Sequence, residues 1–250
     1  MKFIDRIKED WGKVKDKPAK EKWEFFWDHY KIPAICIVLA VVLLVQGIVS
    51  AANKQEIVLS GFAINCKIGI KEEPFWDGFY EAAGIDGKEQ TAACYSDVQI
   101  MPGQTQLNTN TVQRIIAGCS IQDVDFIVGD PYAFQTCAYT SQKLFTDLRE
   151  FLDAETLAKC ADRLYYMDEA ILDLLNAPVG EQVEPNALEY PKDPKDPTAM
   201  KKPVPVGIDV SDLAGLQEAY YLEDTTIYVG AVRSTARPEL TRQFMEYLLG

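Results

Sequence analysis

The run Val124-Asp125-Phe126-Ile127-Val128-Gly129-Asp130, VDFIVGD, decides the architecture. Its centre is apolar on both faces of an extended chain, as the middle of a parallel sheet covered by helices requires. Upstream, IVLSGFAI (57–64) and TAACYS (91–96) read as two further strands. Helical segments fall between them. One opens at Pro74-Phe75-Trp76-Asp77 and runs through Ala83 to a closing Gly84; the next is capped within Asn108 to Asn110 and buries Val112, Ile115 and Ile116. Strand and helix in alternation are the α/β signature. Downstream, Asp153 caps a helix to Ala161, and RLYYM (163–167), VPVGIDV (204–210) and TIYVGAV (226–232) are extended. Pro238 then opens a final helix with Leu240, Phe244, Tyr247 and Leu248 on its core side. Between Asn176 and Pro203 the prolines at 178, 185, 191, 194, 197 and 203 suppress both helix and ladder, which predicts an exposed loop.

Ahead of this domain stands IPAICIVLAVVLLVQGIVSA, residues 32–51, twenty residues without a charge. At about 1.5 Å per residue it matches the roughly 30 Å hydrocarbon core of a bilayer, so it is read as a transmembrane helix. Nine Lys and Arg precede it and only Lys54 follows closely, which places the amino terminus in the cytoplasm and the body outside. A cleaved signal peptide, ending near Val49-Ser50-Ala51, is the competing reading; the thirty-one residues in front weigh against it. Those residues have a pattern of their own. Ile4, Ile7, Trp11 and Val14 share one helical stripe, and Trp23, Phe26, Trp27 and Tyr30 share another just before the span. Aromatic rings with a polar handle favour the headgroup level, so the second group is assigned to the membrane interface. The expected organisation is a cytoplasmic segment (1–31), the span (32–51), a short linker (52–56) and an extracytoplasmic α/β domain (57–250) with a proline-rich loop at 176–203.

Charge and cysteines narrow the function classes. The net charge is −13, but residues 1–31 hold nine Lys/Arg against seven Asp/Glu, so a balance of +2 there leaves −15 beyond it. Anionic lipid attracts the basic end; the acidic body is repelled by nucleic acid, which is excluded as a partner. Five cysteines in the body, Cys66, Cys94, Cys119, Cys137 and Cys160, are an odd number with apolar neighbours and no CxxC. They read as small buried side chains, with one or two bridges as the alternative. The single histidine, His29, lies in the aromatic belt, so no metal or other cofactor is expected in the body. No GxSxG elbow and no Walker loop occurs, and the chain is not expected to be an enzyme.

The order IIAGCSIQDVDFIVGDPYAF, then LFTDLREFLDAETLAKCADRLYY, then VGIDVSD to IYVGAVRSTARPELTRQFMEYLL, resembles extracellular solute-binding proteins of the class II periplasmic-binding type. The resemblance spans 57–250 loosely. It implies one mostly parallel α/β lobe, reduced in size, because only residues 163–203 remain where a second lobe is inserted in that family. In an open α/β sheet the ligand site lies beyond the carboxyl ends of the strands, at the switch in strand order. Those ends are Asn65, Ser96 and the Asp130-Pro131-Tyr132 turn, with Trp76 and Phe75 near in sequence. Asn65, Ser96, Asp130, Tyr132 and Trp76 are therefore the candidate ligand-binding residues. Asp130 can equally serve only as a helix cap before Pro131. Two readings follow: a membrane-tethered solute-binding-like domain that presents or senses a small molecule beside a transporter or signalling protein, or a scaffold subunit of a membrane complex whose ligand site has degenerated.

Overall fold

The computed structural model describes residues 3–52, 55–67, 78–178, 183, 188–213, 216–220 and 225–250, and within the first two helices the side chains of residues 9–47. The chain divides into two compact units, Met1–Lys54 and Gln55–Gly250.

In the first unit, α1 (Phe3–Val14) and α2 (Ala19–Ala52) are joined through a turn before Pro18. The Tyr30 hydroxyl donates to Asp10 Oδ2 at 2.6 Å, which folds α1 back along the start of α2. Val14 is 4% exposed and Trp11 63%, so the stripe expected of α1 is divided between a helix contact and solvent. Ile4 and Ile7 lie outside the described side chains. The aromatic belt and the span form one continuous helix rather than two pieces. Pro33 sits deep inside it and there removes the amide that would donate to the carbonyl of His29. The stretch Ala19–Gly47 is long and apolar enough to cross a membrane. Ile35, Ile37 and Val41 to Val45 are all exposed, an apolar surface that lipid can cover and water cannot.

The second unit is a six-stranded sheet between two helical layers. Its strands are β1 (Glu56–Ile64), β2 (Gln90–Val98), β3 (Phe126–Gly129), β4 (Leu164–Asp168), β5 (Pro203–Asp209) and β6 (Tyr228–Ala231), in the order β2-β1-β3-β6-β5-β4. β1 pairs in parallel with β2 and β3; the pairs β3·β6, β6·β5 and β5·β4 are antiparallel. The mostly parallel sheet expected is thus a mixed one. Four strands point the same way, but β4 and β6 run against them, and the parallel ladder is confined to one half.

Side chains alternate across the sheet with period two. Leu59, Phe126, Val128, Ile208 and Val229 face one layer, formed by α3 (Phe79–Ala83) and α9 (Pro238–Tyr247) with the short helices α6 (Leu148–Phe151) and α7 (Ala154–Lys159). Phe62, Ile64, Ile127, Val206 and Tyr228 face the other, formed by α4 (Thr105–Ser120), α5 (Pro131–Ala138) and α8 (Glu169–Leu175). α3 and α4 lie on opposite faces, so the chain leaves β1 to one side and returns to β3 on the other. That reversal makes β1/β3 the switch point.

Several expectations change in detail. Asn108 to Asn110 do not cap α4; the helix starts a turn earlier, at Thr105, and Asn108 lies inside it. The described part of the proline-rich stretch is docked, not free. Leu188 and Tyr190 pack on the core, Met200 is buried, and the Tyr166 amide donates to the carbonyl of Pro194 at 2.7 Å. Since β4 is an edge strand, this segment covers an edge that would otherwise offer unpaired amides to another chain. All five body cysteines are buried free thiols, which removes the bridged alternative.

The seam between the halves rests on a buried ion pair. Asp125, fully buried ahead of β3, accepts from the Ser60 amide at 2.8 Å and the Thr235 hydroxyl at 2.5 Å and pairs with Arg237 Nε at 3.1 Å. Arg237 also donates to the carbonyl of Ile57 at 2.7 Å, tying the approach to α9 onto β1.

Candidate functional site

Beyond the carboxyl ends of β1, β2 and β3 the structure opens a cavity of about 630 Å³, within the roughly 300–1,000 Å³ typical of small-molecule sites. Asn65, Ile100, Met101, Asp130, Tyr132 and Tyr220 are among its walls.

Asn65 follows β1 with φ of 64°, a left-handed conformation that asparagine tolerates better than most residues. That turn aims its side chain across the sheet end. Its Nδ2 donates to the Ile100 carbonyl at 2.8 Å and to Asp130 Oδ2 at 2.7 Å, while its Oδ1 accepts from the Ile100 amide at 2.8 Å. Asn108 grips the next residue in the same way, accepting from the Met101 amide at 2.9 Å and donating to the Met101 carbonyl at 2.7 Å. Two asparagine amides thereby replace a strand partner for the loop after β2.

Asp130 caps α5 as the Asp-Pro pair predicts: its Oδ1 accepts from the Ala133 amide at 2.9 Å. It also lines the cavity, so the capping role and the site role coincide in one carboxylate. The group is 8% exposed, and among the described residues no cation pairs with it. Tyr132, at the second position of α5, is 40% exposed.

Tyr220 was not anticipated. It is held by a bridge to Cys66, is 3% exposed, and its hydroxyl has no hydrogen-bond partner among the described residues. Burial, with the neighbouring Cys66, Cys94 and Asp130, drives that hydroxyl well above its ordinary range, so it remains protonated. Burial likewise pushes the Cys66 thiol up to about 11, which makes it inert.

Of the sequence-predicted residues, Asn65, Asp130 and Tyr132 come together at the cavity. Ser96 does not. It is half-buried within β2, two residues before Val98, because the strand runs past the point where the sequence suggested it stops. Trp76 and Phe75 lie outside the described residues. The four aromatic residues assigned to the interface share a face of α2: Trp23 stacks with Phe26 at 5.9 Å and with Trp27 at 6.1 Å, and Phe26 with Tyr30 at 6.0 Å. The loop residues Ile100, Met101, Pro102 and Gln104 were also missed; the Met101-Pro102-Gly103 breaker just after a strand is the signal that marks them.

A second cavity, about 760 Å³, lies at the other end of the sheet beneath Leu188 to Ala199. Its aspartates are already engaged, and its Glu189 is exposed. Asp168 accepts from the amides of Ala170, Lys201 and Lys202 at 3.0, 2.9 and 2.8 Å, and Asp193 and Asp196 close turns onto Lys195 and Thr198.

Comparison with protein family models, characterised proteins and solved structures finds no match to this chain.

Proposed function

We propose that this chain is a single-pass, membrane-anchored, non-enzymatic binding module. In this reading α2 spans the cell membrane, the basic amino terminus is cytoplasmic, and the sheet domain lies outside, where it presents or senses a small molecule beside a membrane-protein partner. The observation that carries it is the concave site at the β1/β3 switch, with a carboxylate and an amide at its base and apolar walls around them. Its polar groups bind and orient; no nucleophile and base stand paired among the described wall residues. The lysines and arginines ahead of the span, and the stacked belt of Trp23, Phe26, Trp27 and Tyr30, support the orientation.

The test is thermal unfolding of the full chain in lipid nanodiscs against sugars, peptides, amino acids, amines and metal ions. A ligand at one hundred times its Kd stabilises by about 2.7 kcal/mol, a readily visible shift in Tm. Replacing the exposed wall residue Gln104 by Trp fills the cavity mouth and abolishes that shift. A flat response to the whole panel moves the assignment to a scaffold role, in which the surface rather than the cavity meets the partner.

A further inference from the structure

We propose that the cavity at the β1/β3 switch selects an organic ammonium, a cationic head on an apolar body. The inference rests on the binding role above and names the class of ligand. It comes from counting which hydrogen-bonding capacity remains unspent. Both amide protons of Asn65 Nδ2 are used, on the Ile100 carbonyl and on Asp130. The Ala133 amide at the start of α5 is used on Asp130 as well. The buried donors at the base of the site are therefore consumed by the protein itself, apart from the Tyr220 hydroxyl.

Acceptors are in surplus. A carboxylate offers about four lone-pair positions, and Asp130 has filled two of them. Asn65 Oδ1 has accepted one bond, from Ile100, and keeps a second position. The Tyr220 hydroxyl is buried, lines the cavity and has no partner among the described residues, so it too can accept. A ligand group that meets such a base must bring protons. Among the described wall residues Asp130 is the only charged side chain, so an anion would face the carboxylate with no described cation beside it.

Charge points the same way. A carboxylate that is 8% exposed and has no salt bridge among the described residues relies there on two hydrogen bonds and the positive end of α5. An ammonium completes its coordination with a charge-assisted bond, the strong kind in a partly desolvated site. Around that head stand Ile100, Met101, Pro102 and Pro131, which suit a hydrocarbon body, and the rings of Tyr132 and Tyr220, whose faces attract cations.

Isothermal titration of the full chain in nanodiscs tests this with ligands matched in shape and differing in head. Phenylethyl, hexyl and cyclohexylmethyl bodies each carry an ammonium, a hydroxyl or a carboxylate. The ammonium member of at least one series should bind roughly tenfold to a hundredfold tighter than its alcohol, with the carboxylate weakest. Asp130→Asn should erase that preference. Because Asp130 also caps α5, a second variant leaves the cap alone: Gln104→Lys puts a competing ammonium on an exposed wall position whose side chain makes no capping bond. It should weaken the amines about tenfold more than it weakens the alcohols. Alcohols or carboxylates that bind as tightly as amines, or amines indifferent to Gln104→Lys, overturn the ammonium assignment while leaving the cavity a binding site. Silence from every head on every body overturns both.

Discussion

Asp130 and Asp168 occupy matching places in the two halves of the sheet. Each stands at the end of a strand, each is buried, and each caps the helix that follows. Their surroundings differ. Asp168 in the antiparallel half also borders a cavity, but it takes three backbone amides, two of them from Lys201 and Lys202 on the segment leading into β5, so most of its accepting capacity is spent. Asp130 in the parallel half takes one backbone amide and one side-chain amide and opens onto a cavity. The difference comes from connection geometry. Antiparallel neighbours can return close by and bring backbone amides to a strand end, whereas parallel strands send their crossovers to opposite faces and bring fewer to the switch point. One aspartate holds the fold and its counterpart is free to hold something else.

The contrast can be broken most severely at the seam both halves share. Arg237→Ala strands the fully buried Asp125 carboxylate, and chemical denaturation should show a loss of about 3–5 kcal/mol. Next comes the pair itself. Asp168→Ala leaves three amides without an acceptor and should cost about 2–3 kcal/mol with no change in ligand binding. Asp130→Ala removes a single helix cap and should cost about 1 kcal/mol while abolishing binding. Equal losses of stability would dissolve the distinction.

Acid sharpens it further. Burial alone would raise the Asp168 carboxyl, but the amides of Lys201, Lys202 and Ala170 outweigh it and hold the group below the usual carboxylate range. Asp209 behaves alike: burial works upward, and Lys195 with Ser211 prevails downward. A folded-state pKa beneath the unfolded value of about 4 contributes stability that is present above that pH and lost as pH falls through the folded value. Tm measured from pH 6 to pH 2 should therefore drop below about pH 4, and Asp168→Asn should flatten part of that drop. The smallest effect belongs to Ser96→Ala, a half-buried position away from the cavity wall, expected within about 0.5 kcal/mol of the parent and without effect on binding.

The strands were legible because each is a short apolar run bounded by turn residues, and the observed ranges lie within two residues of the expected ones. Asn65, Asp130 and Tyr132 were legible for a related reason: strand ends gather at the switch point whatever the side chains are. Sheet direction was not legible. VPVGIDV and TIYVGAV are apolar on both faces like VDFIVGD, and nothing in a doubly buried strand records whether its neighbour runs with it or against it. The proline-rich segment misled because proline forbids a ladder amide but not a carbonyl acceptor, and Pro194 uses its carbonyl to cover β4. Tyr220 was hidden for want of any local pattern; it reaches the site through a bridge to Cys66, more than 150 residues away. Asn108 was misassigned as a cap because asparagine before an apolar periodicity signals a helix start, whereas here it reaches back to Met101 from within the first turn.

Phe134 belongs to α5, the helix that Asp130 caps, yet its ring lies against Gly207 of β5 and meets Phe145 at 4.7 Å and Tyr165 at 4.8 Å. A methyl group on Gly207 would stand 2.4 Å from the ring carbon Cζ, with no room for both. The Asp130 carboxylate thus has its footing in the antiparallel half of the sheet. Substitution of that one glycine would tilt the helix and move the Asp130 carboxylate from the far side, so the tolerance of β5 to change is set by a cavity it does not line.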